Sequence, residues 1–287
     1  LNQAQLIQQA VLRSLHARDL YTERQVNTML KSLHTAEMHI KSQLAEIGDK
    51  QILKKGHEIR REQLRGIQKG IDEIISDLKK NHTVVMRNAV KESYQNGISG
   101  SIGEFSELKF PHYENLSQDD RVKLAGQVMS LTDRSALDFL VNYDLQLLGN
   151  VTRELADNIK QQISVGIISG DSIAKISEKI GGVITDPNEF RLAGKKVFKT
   201  AQTRVEVIMR TETLRAYGQG RNKLYSQIGV KRVVWVTAGD ERTCPECGPL
   251  DGKEFPIDQM PSMIHPNCRC SSFAARARIC RAGVPVH

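Results

Sequence analysis

DERTCPECGPLDGKEFPIDQMPSMIHPNCRC, residues 240–270, holds four of the chain's five cysteines and sets the reading of everything around it. Cys244 and Cys247 stand two residues apart, seventeen residues separate Cys247 from His265, two more lead to Cys268, and Cys270 follows one residue later. Structural zinc is held by four soft or borderline donors, usually offered as two close pairs, because a tight turn can aim two side chains at one point about 2.0 to 2.3 Å away. The spacing fits a two-pair zinc pattern with one cysteine replaced by histidine. Cys244, Cys247 and His265 fill three places, while Cys268 and Cys270 compete for the fourth. Pro245, Gly248, Pro249, Gly252, Pro256, Pro261 and Pro266 forbid a helix here. A lobe of roughly forty residues rarely holds itself together by apolar burial alone, and a bound zinc would contribute on the order of 10 to 16 kcal/mol to its folding.

Other uses of these thiols fit less well. A redox dithiol belongs beside a βαβ pattern, whereas Cys244 and Cys247 lie in proline-rich loop. A disulfide framework suits an even cysteine count and a secretory signal, and the N-terminal residues show no charged segment followed by an apolar one. The expectation is a reducing cytoplasm. A catalytic zinc would offer three ligands and a nearby base, and here the donors are in surplus.

The motifs extend beyond the thiols. Arg210-Thr211-Glu212, then Trp235, Asp240-x-Arg242-Thr243-Cys244-x-x-Cys247, Leu250-Asp251-Gly252-Lys253 and His265-Pro266-Asn267-Cys268-Arg269-Cys270 follow in order. Together they resemble the head morphogenesis family of tailed bacteriophages named after phage Mu protein F, over roughly residues 150 to 275. The resemblance implies a non-enzymatic minor capsid protein of the virion. It would be made in the host cytoplasm and act in the procapsid at the portal vertex, with the portal protein as partner, the scaffold and major capsid protein as further contacts, and double-stranded DNA bound in some relatives.

The expected fold class is mainly α, with long N-terminal helices and a small C-terminal α+β lobe stabilised by zinc. From Leu1 to Phe110 there is no proline, and good helix formers predominate. Leu6, Val11, Leu12 and Leu15 share one helical face, and Leu64, Ile67, Ile71, Ile74 and Leu78 make a seam about two heptads long, too short for a coiled coil. Helices packed within a domain are favoured over an extended docking arm. Gly97, Gly100 and Gly103 before Pro111 read as a linker, giving segments 1–103, a helical middle domain 104–187, a basic helix plus metal lobe 188–275 and a basic tail 276–287.

Within the middle segment, Ser117 and Asp120 read as a capping box. Helices follow through Leu131, through Leu137 to Leu148, and from Val151 to Ile168. A short helix capped by Asp171 is then stopped by Gly181-Gly182. Val230 to Val236 reads as a strand that pairs with Lys253 to Phe255, with Trp235 plugging the core under the lobe.

Net charge is +8, unevenly spread. Residues 104–157 carry ten acids and five bases, whereas residues 191–232 carry eleven bases and two acids. The basic segment reads as a helix from about Glu189 to Tyr217 that turns Lys195, Lys196, Lys199, Arg204 and Arg215 outward, suited to a polyanion such as duplex DNA or to an acidic protein surface. Arg210 and Glu212, two residues apart, cannot pair with each other on a helix and are expected to pin it to its neighbours. No apolar run reaches eighteen residues, so no membrane span is expected. The competing class is a zinc-dependent nuclease or deaminase. His112-Tyr113-Glu114 supplies the deaminase H-x-E by chance, far from Cys244 and without the expected α/β pattern.

Overall fold

With no proline before Pro111, the first third of the chain folds as two long helices, α1 (Gln3–Asp49) and α2 (His57–Glu107). The structure is a computed structural model and describes residues 3–49, 57–110, 112–114, 116–130, 134–169, 171–185, 191–192, 195–196, 200–237, 243–261 and 264–275. Four further helices follow: α3 (Gln118–Ser130), α4 (Arg134–Ser169), α5 (Ile173–Thr185) and α6 (Ala201–Gln227). Strands β1 (Arg191–Leu192) and β2 (Lys195–Lys196) form a short antiparallel pair. Strands β3 (Arg232–Val236), β4 (Glu254–Pro256) and β5 (Ser271–Ala274) form a sheet in the order β4-β3-β5, antiparallel throughout. Among the described residues no helix is long and apolar enough to cross a membrane.

The chain forms two compact units, each assembled from several stretches. The first comprises 1–24, 88–141 and 209–287; the second comprises 25–87 and 142–208. The second is a helical core with apolar residues at helical spacing: Met29, Leu33 and Ile40 on α1, Ile67, Ile71 and Leu78 on α2, Leu155, Ile159 and Ile163 on α4, and Ile176 and Ile180 on α5, all buried. The seam expected through Ile74 includes Ile75 as its buried member instead. In the first unit Val11 and Leu15 are buried as expected, but Leu6 and Leu12 are exposed. Phe105 sits at the centre of an aromatic cluster there, its ring 4.8 Å from Phe110, 5.4 Å from Tyr113, 5.6 Å from Tyr225 and 6.4 Å from Phe273.

Several boundaries differ from the sequence reading, each for a local reason. Gly97, Gly100 and Gly103 are not a linker; they lie inside α2, which ends at Glu107. A Cβ at Gly97 would stand 2.1 Å from the Tyr217 carbonyl oxygen, and one at Gly220 would stand 2.0 Å from that of Tyr94. The two glycines therefore let the backbones of α2 and α6 cross at close range. Lys109, at φ 53°, closes α2, with the Phe110 amide donating to the Phe105 carbonyl at 2.9 Å, and Gly229 closes α6 in the same way. Helix α4 runs unbroken through Gly149, and α5 continues past Gly181-Gly182 to Thr185. Ser172, not Asp171, caps α5, its hydroxyl accepting from the Lys175 amide at 3.3 Å. The capping box at α3 forms as expected, with the Asp120 amide donating to Ser117 Oγ at 3.1 Å and the Ser117 amide to Asp120 Oδ2 at 3.3 Å.

The largest correction concerns the basic helix. It begins at Ala201 rather than Glu189, with Thr200 Oγ1 accepting from the Thr203 amide at 3.2 Å. Lys195 and Lys196 belong to β2. Within α6 only Gln219 and Ser226 are exposed, so this is a helix enclosed on nearly all sides rather than a solvated basic face.

Gly97→Ala and Gly220→Ala should each lower stability in urea by about 1 to 3 kcal/mol or more. Gly126→Ala, whose added Cβ meets nothing within 4 Å, should raise it by about 0.5 to 1 kcal/mol. His82, 1% exposed, has its pKa lowered to about 4, chiefly by burial and against the nearby Met29 backbone. The unfolded chain takes up this proton near its ordinary value of about 6.5. Stability from keeping His82 neutral is therefore complete above about pH 6.5 and is lost as pH falls toward 4. Between those values His82→Leu should flatten the stability slope by up to about 1.4 kcal/mol per pH unit, read by denaturation at several pH values.

Candidate metal centre

Two tight turns carry the donors. In the first, between β3 and β4, the Cys244 carbonyl accepts from the Cys247 amide at 3.2 Å and the Gly248 amide at 2.9 Å, while the Cys247 amide also donates to Cys244 Sγ at 3.2 Å. In the second, between β4 and β5, the Cys268 amide donates to the His265 carbonyl at 3.2 Å, and Asn267 takes φ 62°. Gly252, at φ 74°, turns the chain back so that its amide donates to the Trp235 carbonyl at 2.9 Å.

The turns bring all five expected donors into two overlapping groups. Cys244, Cys247 and His265 form one, Cys247, Cys268 and Cys270 the other, and within each the ligand atoms lie within 4.8 Å of one another. Cys247 belongs to both. His265 Nε2 lies 3.0 Å from Cys244 Sγ and 3.3 Å from Cys247 Sγ, and the Cys247 and Cys268 sulfurs are 3.7 Å apart. Two thiolates sharing a tetrahedral ion with metal–sulfur distances of about 2.3 Å stand about 3.8 Å apart, so the Cys247–Cys268 pair fits. His265 Nδ1 is 2.8 Å from the Pro266 carbonyl, which can only accept, so Nδ1 carries the proton and Nε2 is left to bind.

The electrostatics suit a cation. Burial pushes the Cys247 thiol up to about 12, whereas a hydrogen bond from the Cys270 thiol brings Cys268 down to about 5 and raises Cys270 in turn. Crowded thiols share few negative charges among themselves; a cation in their midst lets the rest ionise. The Cys/His cluster could hold a metal ion. Asp251 of the lobe is engaged elsewhere, its Oδ1 accepting from the Thr237 amide at 2.8 Å and the Thr237 hydroxyl at 2.9 Å. Asp240 lies outside the described residues.

Trp235, 2% exposed, packs with Cys247 and Cys268 under the cluster, with Leu250, Phe255 and Met260 around it, as expected from the sequence. The expected β3–β4 pairing is present, with Val233 opposite Phe255. Strand β5 was not foreseen: four residues, all buried, give no alternation to detect.

The lobe is mounted on the first unit by residues that sequence reasoning largely missed. Arg221, fully buried, donates to both Glu104 carboxylate oxygens at 2.6 and 2.8 Å, to the Ser272 carbonyl of β5 at 2.9 Å and to the Tyr225 hydroxyl at 2.7 Å. Thr211 Oγ1 accepts from the Asn267 amide at 3.0 Å. Thus Thr211, the middle residue of Arg210-Thr211-Glu212, touches the His265–Cys268 turn. Arg18 donates to the Arg269 carbonyl at 2.8 Å, and Asp19 pairs with the Arg269 guanidinium. Arg210 pairs with Glu23 of α1, and Glu212, 3% exposed, pairs with Arg215 at 2.6 Å.

Among the candidate polyanion residues, Lys195 and Lys196 stand on β2. Arg204 pairs with Glu154 in the second unit, Arg215 is paired in the first, and Lys199 lies outside the described residues. The acidic surface that charge patterning called for lies partly within the chain itself, since Glu104 and Glu154 belong to the acidic segment and Arg221 and Arg204 to the basic one. The tail 276–287, with Arg276, Arg278, Cys280 and Arg281, also falls outside the described residues.

Fold and site define a mainly helical protein with a small thiol-rich lobe that could hold a metal ion. Residues 157–273 match the family described as Phage Mu protein F like protein, the one that the motifs resemble. The match starts within α4 and ends in β5, so it covers α5, α6 and the whole lobe. No curated protein and no solved structure matches the chain significantly.

Glu104→Gln leaves the Arg221 charge buried beside a neutral partner. It should lower stability by about 3 to 5 kcal/mol, read by the fluorescence of Trp235, the only tryptophan.

Proposed function

We propose that this chain is a minor head protein of a tailed bacteriophage that acts in procapsid assembly at the portal vertex, with a zinc-held lobe serving as a structural mount. The family match over residues 157–273 carries this reading. The lobe's chemistry supports the structural role. Its donors are in surplus, His265 Nδ1 is committed to a carbonyl and Asp251 is held by Thr237. Three thiolates and one imidazole suit zinc among the common divalent ions. Cys244, Cys247, His265 and Cys268 would be its ligands, because the Cys247–Cys268 separation already matches a shared ion and Cys268 is the more buried of the two rival thiols.

Duplex DNA is the further partner. With Arg204 and Arg215 held in ion pairs, its phosphates fall to Lys195, Lys196 and Lys199, by charge rather than by base reading.

Element analysis of the purified chain should find one zinc, retained through mild chelation and lost in Cys247→Ser; no bound metal overturns the zinc claim. The chain should be detected in purified procapsids and should co-purify with the portal ring, and its absence from both contradicts the head assignment. Reversing Lys195, Lys196 and Lys199 to Glu should weaken duplex binding uniformly across sequences and flatten its salt dependence, by about one unit of log–log slope for each phosphate no longer neutralised. Unchanged binding removes DNA from the account.

A further inference from the structure

The first unit contains a cleft of about 750 Å³ between α1, α2 and α6, with Arg121 of α3 also lining it. Arg13, Arg18, Arg24 and Arg121 line it together with two acids, Glu104 and Glu107, and a third acid, Asp19, pairs with Arg18. Both lining carboxylates are engaged, Glu104 by Arg221 and Glu107 by Arg13. The Arg121 donors go to neutral acceptors, the Leu116 carbonyl at 3.3 Å and the Ser106 hydroxyl at 3.1 Å. The Arg18 side chain is 2% exposed and fixed on three sides, by Asp19, by the Arg269 carbonyl and by the Tyr217 ring 5.6 Å away. Such a guanidinium is oriented before any ligand arrives, which reduces the ordering that binding requires.

Two glycines of α2 shape the space. A Cβ at Gly100 would crowd Tyr217 Oη at 2.7 Å and Ser14 Oγ at 2.8 Å, so its absence lets those hydroxyls meet, 2.7 Å apart, on the cleft wall. Gly103 is different. A Cβ there would meet nothing within 4 Å, so no neighbour among the described residues requires this helical glycine, yet it keeps the cleft open.

We propose that this cleft is a docking site for an acidic peptide segment of a partner protein. Guanidinium groups take carboxylates through paired, charge-assisted hydrogen bonds, and the Arg121 charge, set on neutral acceptors, favours an anionic ligand. A space of this volume encloses a few side chains and cannot seat a duplex, whose major groove alone is about 12 Å wide. The residues that line it include neither the lysines assigned to DNA nor the Cys/His donors, so its test is independent of both.

The test is fluorescence anisotropy of labelled hexaglutamate with the full chain at low and physiological salt. Binding is expected, weakening as salt rises. Gly103→Leu keeps every charge and favours the helix, so the chain should remain folded while binding falls by about tenfold or more. Arg24→Glu with Arg121→Glu should abolish binding. Lys79→Glu with Arg87→Glu, the same charge change at exposed positions of α2 away from the cleft, should leave it unaltered. No binding overturns the proposal. So does binding that is indifferent to Gly103→Leu or that falls equally in the control pair, which marks general attraction to a basic protein. If duplex DNA displaces the peptide and Gly103→Leu weakens DNA equally, the proposal is overturned in favour of a nucleic-acid site.

Discussion

The guanidinium of Arg221 has to be satisfied without water, and the first unit is arranged around that requirement. Removing an arginine from solvent is costly unless each donor finds an acceptor. Arg221 meets this with the Glu104 carboxylate of α2, the Ser272 carbonyl of β5 and the Tyr225 hydroxyl one turn along its own helix, and it lies between the Tyr217 and Tyr225 rings, 5.8 and 5.5 Å from their centroids. Burial opposes its charge, but Glu104 keeps it protonated. These acceptors come from three parts of the chain, so the charge is stable only when α2, α6 and the lobe are assembled together. The crossing of α2 and α6 at Gly97 and Gly220 brings the backbones close enough for this to happen.

The lobe thus has two supports of different kinds. Within it, the turns at Cys244–Cys247 and His265–Cys268 converge on a cluster able to hold a metal ion. Beneath it, Arg221, Thr211 and the Arg18–Asp19 pair fix the β5 strand and the second turn to helices. A small sheet of three short strands has little apolar area of its own to bury. Anchoring at both levels suits a part that keeps its shape better than one that opens and closes around a substrate, as the proposed structural role requires.

Much of this was legible in the sequence, and the failures share a physical cause. The proline-free start, the Ser117–Asp120 box and the β3–β4 pairing are local signals that read correctly, and the cysteine–histidine spacing does bring its donors together. Glycine is ambiguous locally. Gly97, Gly100 and Gly103 resemble a linker unless one knows that Tyr217 and Ser14 approach the first two, and Gly181-Gly182 did not stop α5. Charge is ambiguous in the same way. The basic run looked solvated because Glu23, Glu104 and Glu154, its partners, lie 50 to 187 residues away in sequence. Nothing near Arg221 announces that it is buried, and nothing near Thr211 announces that Asn267 rests on it.

The most direct measurement of the coupling between lobe and helices is amide hydrogen exchange on the full chain, before and after removal of metal by a strong chelator. The account predicts lost protection in residues 243–275 and, together with it, in the α2 turn around Glu104 and the α6 turn around Arg221. Loss confined to the lobe, or no change anywhere, contradicts it.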